Sequence, residues 1–230
     1  MEIAENIENV KVSGTEKLPN ELLTKDEILK IIDAADCNQD KAFIAALAES
    51  GCRIGELLSC RIKDVERISD GIKFTFPRGK TGSRTVLLAY MASYITRWLE
   101  EHPLRKNEDA PLWITKRKHS ISKDNTVVRE YRPIEYNTAA GILSRVVKKA
   151  GIKKRVHAHL FRHSRATVLS RDLTESQLKK YLGWKPGSNM PAVYIHLSNE
   201  DSDNAIRGLY GLIEKEKTEK GFEVGKCPRC

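Results

Sequence analysis

Apolar residues recur at helical spacing along most of this chain. In ELLTKDEILKIIDAA, Thr24 and Glu27 have the spacing of a capping box, and Gly51 follows the apolar AFIAALAES as a helix-ending glycine. A short helix is predicted from Ile54 to Ser59. Further helices are predicted over AYMASYITRWLEE, NTAAGILSRVVKKA, HAHLFRHSRATVL, TESQLKKYL with its Thr174–Gln177 capping box, and finally from about Asp201 to Lys217.

The apolar period changes from helical to alternating between residues 65 and 88. Short alternating runs cover Val65 to Ile68, then Ile72, Phe74 and Phe76, then Thr85 to Leu88. Asp70-Gly71 is a hairpin turn signal between the first two runs, and PRGKTGS forms the second turn. The pattern predicts a mainly α fold with a small three-stranded antiparallel β-sheet.

The remaining segments define the expected domain limits. Residues 1–20 are polar and irregular and are predicted to be a linker or arm, residues 21–215 the main domain, and residues 216–230 a C-terminal tail. Residues 115–133 are basic and weakly periodic, which fits a solvated loop and a contact to a phosphate backbone equally well.

The tail ends in KCPRC, where Cys227 and Cys230 have the spacing of half a zinc ribbon. We expect the chain to be cut from a longer protein in which the ribbon continues. The alternative is an ordinary pair of cysteines at the end of the chain. Cys37, Cys52 and Cys60 are scattered among apolar residues and are read as reduced thiols.

The charge balance favours a polyanionic partner. The 230 residues contain 40 Lys plus Arg against 31 Asp plus Glu, a net charge of +9. No apolar run approaches the length of a membrane span, and MEIAENIENVKV does not resemble a signal peptide. These features predict a cytoplasmic protein with no membrane partner.

Candidate chemistry is concentrated between residues 157 and 194. His159 and Arg162 are three apart on a predicted helix and therefore share a face. Trp184 follows a helix-ending glycine, and Tyr194 lies behind a loop containing proline and glycine, where a phenol on a mobile segment would suit a nucleophile. The competing phenols Tyr136, Tyr181 and Tyr210 lie in predicted helices, and His157 and His163 are interpreted as core histidines.

Two upstream cations complete the candidates. Arg53 follows soon after a helix-ending glycine. There its planar guanidinium and that of Arg162 could together bind one phosphate, and the alternative is a structural salt bridge to Glu56. Lys80 lies in GKT, but a nucleotide-binding P-loop needs glycine at position 74, which is Phe74, so no nucleotide cofactor is expected. Lys80 is then either an exposed charge or an acid that protonates a leaving group.

The ordered motifs SGCRIGELL, GKTGSRTVLL, HLFRHSRAT, LGW and YIHL resemble the catalytic domain of a tyrosine recombinase, the lambda-integrase-type DNA breaking and rejoining family, of archaeal type. The resemblance covers roughly residues 20–210. Histidine is commoner in the family at the Trp184 position, and the loop before Tyr194 departs from the family's threonine-bearing pattern. The resemblance implies the tyrosine recombinase catalytic fold and places six residues around the scissile phosphate: Arg53, Lys80, His159, Arg162, Trp184 and Tyr194.

The implied activity is site-specific DNA recombination through a 3′-phosphotyrosine intermediate. Tyr194 attacks, Lys80 protonates the leaving oxygen, and neither a cofactor nor a divalent metal is needed. The implied partners are double-stranded DNA and other protomers in a tetrameric synapse. Three alternatives stay open: a type IB topoisomerase, a non-catalytic DNA-binding module, and a metal-dependent hydrolase built on His157, His159 and His163.

Overall fold

A computed structural model of the chain describes residues 22–77, 79, 82–121 and 127–197. The first seven helices have the predicted positions, the eighth was not predicted, and both the Thr24–Glu27 and the Thr174–Gln177 capping boxes form. The helices are α1 (Lys25–Ala34), α2 (Asn38–Ser50), α3 (Ile54–Leu58), α4 (Ala92–Glu101), α5 (Tyr136–Lys149), α6 (Ala158–Leu169), α7 (Glu175–Leu182) and α8 (Met190–Leu197).

The predicted three-stranded sheet is confirmed. Strands β1 (Val65–Ile68), β2 (Gly71–Phe76) and β3 (Arg84–Leu88) pair antiparallel in the order β1-β2-β3. The first turn lies one residue earlier than predicted, because Ile68 already pairs with Gly71 across it. The inner face of β2 and β3 is apolar where Phe74 pairs with Val86 and Ile72 with Leu88.

A second sheet occupies the basic stretch, for which the sequence predicted no regular element. Strands β4 (Ile114–Ile121) and β5 (Val127–Pro133) form an antiparallel hairpin. The interpretation of this stretch as a solvated loop is wrong. The two strands form hydrogen bonds between their own backbone N–H and C=O groups. A hairpin of this kind can form without the alternating apolar pattern by which strands are predicted from sequence.

Buried apolar side chains form two cores. The main core joins residues of α1, α2, the three-stranded sheet, α4, α5 and the start of α6, with Phe161 as its last member along the chain. The small core lies beside it and is formed by Ala166, Leu178, Leu182, Trp184 and Tyr194. The boundary between the two cores runs through α6, between Phe161 and Ala166.

Several predictions fall on other parts of the chain. The arm over residues 1–20, Lys80, the final helix from Asp201 to Lys217, and the tail with Cys227 and Cys230 lie outside the described residues. Within the described part of the chain, none of the helices has the length and apolar character needed to cross a bilayer.

Candidate active site

Arg53 is positioned by the end of α2. Gly51 closes that helix in the left-handed conformation with φ 57°, and a Cβ there would lie 3.0 Å from a methyl carbon of Leu182. Both the backbone conformation and this close approach favour glycine. The chain then turns so that Arg53 becomes the N-cap of α3, where its backbone N–H donates to Glu56 Oε2 at 3.0 Å.

Glu56 holds two arginines at once. Its Oε1 accepts from Arg53 Nη1 at 2.8 Å, and its Oε2 accepts from Arg84 Nη1 at 2.8 Å. Burial alone would raise the pKa of Glu56, but Arg84 and the backbone and side chain of Arg53 outweigh it and lower the pKa. The carboxylate therefore stays ionised, and the predicted Arg53–Glu56 salt bridge forms.

Arg84 is a cation that the sequence analysis did not select. Its side chain is 8% exposed; its Nε donates to the carbonyl of Tyr181 at 3.0 Å, and its guanidinium lies 4.8 Å from the Phe76 ring centroid. The alternation in β3 could have indicated its buried position, because Arg84 lies on the same face of the strand as buried Val86 and Leu88. It braces Glu56, and through Glu56 it fixes Arg53.

Arg162 joins the ends of two helices. Its Nη1 donates to the carbonyl of Gly51 at 2.8 Å, and its Nη2 donates to the carbonyl of Leu182 at 2.7 Å. Burial lowers the pKa of Arg162 to about 10, with further lowering by Arg53 and Arg84. The guanidinium therefore remains charged at neutral pH, and its carbon lies 5.5 Å from the Trp184 ring centroid.

Trp184 follows the second left-handed glycine of the site. Gly183 ends α7 with φ 64°, and a Cβ there would lie 2.9 Å from Arg84 Nη1. The indole that follows is buried and stacks on the Tyr194 ring, with the ring centroids 5.5 Å apart and the planes at 14°. The end of α7 therefore supplies a flat surface for the phenol.

Tyr194 does not lie on an exposed loop. It belongs to α8 and is 3% exposed, so the interpretation as a phenol on a mobile loop segment is wrong. The reason is that α8 begins at Met190, and Pro191 lies in its first turn, where a missing N–H breaks no helical hydrogen bond. Burial raises the pKa of the phenol more than Arg162 lowers it, so Tyr194 is protonated at neutral pH.

His163 contacts the candidate nucleophile directly. Its Nδ1 lies 2.5 Å from the Tyr194 hydroxyl, and its ring is edge-on to His159, with centroids 5.5 Å apart. The interpretation of His163 and His157 as core histidines is wrong, because His163 lines the pocket and His157 is exposed. The missed signal was spacing: His163 is one turn beyond His159 and next to Arg162.

These side chains surround one cavity of about 580 Å³. Five of the six predicted site residues line it together, and Lys80 is outside the described residues. In the described ranges, no group of three His, Cys, Asp or Glu residues is arranged to hold a metal, so the three-histidine metal site is not formed. The lining residues are Arg53, His159, Arg162, His163, Gly183, Trp184, Lys185, Gly187, Ser188, Met190 and Tyr194.

Known proteins resemble this chain over most of its length. Transposase A from transposon Tn554 of Staphylococcus aureus is 27% identical over 206 residues, covering 85% of this chain and 54% of the relative. Tyrosine recombinase XerS of Streptococcus sanguinis is 30% identical over 177 residues, covering 74% of this chain and 45% of the relative. The chain thus spans about half the length of these curated relatives.

Solved structures share the fold. The crystal structure of XerA recombinase is 26% identical, with a TM-score of 0.59 over 83% of this chain and 64% of that one. XerH site-specific recombinase, bound to a palindromic difH substrate, has a TM-score of 0.62 at 21% identity, over 88% of this chain and 57% of that one. The archaeal assignment stays a prediction. Because the phage integrase family model matches residues 21–201, the chain belongs to the phage integrase family of tyrosine recombinases.

Proposed function

We propose that this chain is the catalytic part of a site-specific DNA recombinase that breaks and rejoins DNA through a 3′-phosphotyrosine intermediate. The observation that carries the proposal is the placement of the Tyr194 phenol in one pocket with the guanidinium groups of Arg53 and Arg162. A nucleophile beside two fixed cations suits attack on a phosphodiester. Family membership over residues 21–201 supports the same reaction class.

In the proposed reaction, Tyr194 attacks the phosphorus in line. The new bond joins the phenol oxygen to phosphorus, and the bond that breaks is the one from phosphorus to the 5′ oxygen of the next nucleotide. Arg53 and Arg162 balance the negative charge that builds up on the phosphoryl oxygens. His159 and the indole N–H of Trp184 lie at the same cavity and donate further hydrogen bonds to the phosphate.

The 5′ oxygen leaves with a proton from Lys80, as the resemblance implies. Because the phosphotyrosine bond conserves the energy of the phosphodiester, a 5′ hydroxyl of a second strand can reverse the step without a nucleotide cofactor. The substrate is double-stranded DNA, and exchange between two duplexes takes place in a tetramer of protomers. The reaction would take place in the cytoplasm, as the sequence features predict.

The test is a covalent-trapping assay on a nicked duplex that carries the native attachment site. Cleavage next to the nick releases a short oligonucleotide, so the 5′ hydroxyl is lost and the protein stays joined to DNA. The expected product is an adduct that survives denaturation and that a chelator does not reduce. Absence of the adduct from the wild-type chain on its own site contradicts the proposal.

Tyr194→Phe is the variant that assigns the nucleophile. It keeps the ring that stacks on Trp184 and removes only the hydroxyl, so the fold and DNA binding are expected to be unchanged. Tyr136→Phe is the matched control, because Tyr136 is 61% exposed at the start of α5. An adduct retained by Tyr194→Phe would show that Tyr194 is not the nucleophile, and an adduct lost from both variants would show that the loss is not specific to Tyr194.

A further inference from the structure

We infer that His163 is a further catalytic residue: it holds the Tyr194 hydroxyl and takes its proton as the phenol attacks the phosphate. This inference rests on the proposed function and assigns the proton acceptor within it. The carrying observation is the 2.5 Å distance between His163 Nδ1 and the Tyr194 hydroxyl oxygen. This is the hydrogen-bond distance at which a base removes a proton from its nucleophile.

The chemistry of the two groups sets the direction of this hydrogen bond. Tyr194 is protonated at neutral pH, so its hydroxyl is able to donate. A neutral imidazole whose proton is on Nε2 presents Nδ1 as an acceptor. In that tautomer the phenol proton already points at the nitrogen that receives it.

Burial explains why such an acceptor is needed. Desolvation raises the pKa of the Tyr194 phenol, which makes a free phenolate scarce at neutral pH. Arg162 opposes the shift but does not reverse it. Attack therefore needs a base in contact with the oxygen, and an imidazole titrates in the range where it can act as one.

The phenol is fixed in this position from three sides. Trp184 stacks on one face of its ring, the His163 ring lies 5.9 Å away by centroids, and Ser170 Oγ donates to the Tyr194 backbone carbonyl at 3.3 Å. Since α6 carries both His163 and Arg162, one rigid helix sets the distance from the base to the phosphate-binding cation. Base, nucleophile and cation are thus positioned together.

The O–H bond of Tyr194 breaks, its proton goes to His163 Nδ1, and its oxygen bonds to phosphorus while the 5′ oxygen leaves with a proton from Lys80. On rejoining, the attacking 5′ hydroxyl gives its proton back to Lys80, its oxygen bonds to phosphorus, and the imidazolium returns the other proton to the departing phenol oxygen. The titratable and charged groups around His163 are His159 on its own helix, Arg162 beside it, and Tyr194, Arg53 and Lys185 across the cavity.

The experiment measures single-turnover cleavage of the nicked duplex by the whole chain between about pH 6 and pH 9, a range that spans imidazole titration. In His163→Asn, the side-chain amide oxygen replaces Nδ1 as an acceptor but takes no proton at these pH values. We expect cleavage about 10² to 10³ times slower near neutral pH, which is the usual contribution of a general base. The deficit shrinks as the pH rises towards the phenol's own titration, because solvent then removes the proton.

His157→Asn is the matched control. His157 precedes the same helix and is exposed, and we expect cleavage within about twofold of the wild-type rate, as for a surface substitution. If His163→Asn cleaves at the wild-type rate near neutral pH, or if its deficit is the same at every pH, the inference is overturned. The second outcome would mean that His163 only positions the phenol.

Chemical rescue covers the case in which His163→Asn does not fold. His163→Ala leaves space for free imidazole, and a cleavage rate that rises with the concentration of neutral imidazole supports the inference. A folded His163→Ala that imidazole does not restore overturns it. The wild-type adduct separates the two proposals: without it the proposed function fails, whereas an adduct that forms equally in wild type and His163→Asn contradicts only the role of His163.

Discussion

The pocket has two halves that are built differently. The arginine half consists of Arg53 and Arg162, held by Glu56, Arg84 and two helix-end carbonyls. The tyrosine half consists of Trp184 and Tyr194, which belong to the five-residue small core. Ion pairs and the backbone carbonyls at the ends of α2 and α7 fix the first half, whereas ring stacking and the hydrogen bond to His163 fix the second.

The difference suits the two tasks of the proposed covalent reaction. Electrostatic stabilisation requires charges that do not reorganise during the reaction, so a buried ion network suits the arginine half. A nucleophile that becomes bonded to DNA has to accommodate the product, and elements with few buried contacts open at lower free energy than the core. We therefore expect α8 to be less stable locally than α2.

Arg162→Lys should give the largest effect, because it removes a guanidinium of the arginine half. One ammonium cannot reach both the Gly51 and Leu182 carbonyls while also presenting a fork to a phosphate. We expect single-turnover cleavage to slow about 10³-fold, or about 4 kcal/mol, as when a preorganised donor is removed. Arg171→Lys, at an exposed position beyond α6, is the control, and a loss of less than tenfold in Arg162→Lys would contradict the assignment.

Arg84→Met comes next and tests the brace behind Arg53. It removes one partner of a carboxylate that is 4% exposed, so we expect the free energy of unfolding to fall by about 3 kcal/mol in urea denaturation. Arg67→Met provides the matched control, because the Arg67–Glu100 pair is exposed and its loss should cost under about 1 kcal/mol. Equal losses in the two variants would mean that burial does not distinguish these pairs.

Leu178→Ala tests the packing of the tyrosine half. Leu178 is fully buried in the small core, and its truncation should cost about 2 kcal/mol, the low end for such a change at a site with few neighbours. Hydrogen exchange should show the loss in the amides of α7 and α8, with α2 little changed. Uniform loss of protection in α2 and α8 would show that the two cores unfold as one unit.

The smallest expected effect is the pH dependence of the arginine half. The pKa of Glu56 is lowered in the folded chain, so its contribution to stability is present above the unfolded carboxyl's pKa of 4.5 and is lost as the pH falls through the folded value. The difference in unfolding free energy between wild type and Glu56→Gln should therefore shrink on acidification below 4.5. A difference that does not change on acidification would contradict this expectation.

Much of this arrangement could be predicted from the sequence, because it is encoded locally. The capping boxes, the glycine that ends α2 and the alternation of β1 to β3 each depend on residues a few positions apart. The roles of the site residues remain predictions, although the structure brings Arg53 to the cavity that His159, Arg162, Trp184 and Tyr194 also line.

The features that were missed depend on tertiary context. The β4–β5 hairpin is stabilised by mutual pairing, and nothing in the local pattern of its basic residues predicts that pairing. The sequence predicts a core position for His163 because it lies on a helix with apolar spacing, yet the hydroxyl that it contacts belongs to Tyr194, 31 residues away. Arg84 was overlooked because a buried arginine is plausible only once Glu56, from a different element, is known to face it.

The two carbonyls bound by Arg162 have a thermodynamic consequence. Gly51 ends a helix of the main core and Leu182 is the last residue of a helix in the small core, so one guanidinium holds the two cores together with two of its five N–H groups. The phosphate is proposed to bind the same ion. Linkage then requires reciprocity. If DNA binding makes separation of the two cores less favourable by some free energy, separation of the cores must weaken DNA binding by the same free energy.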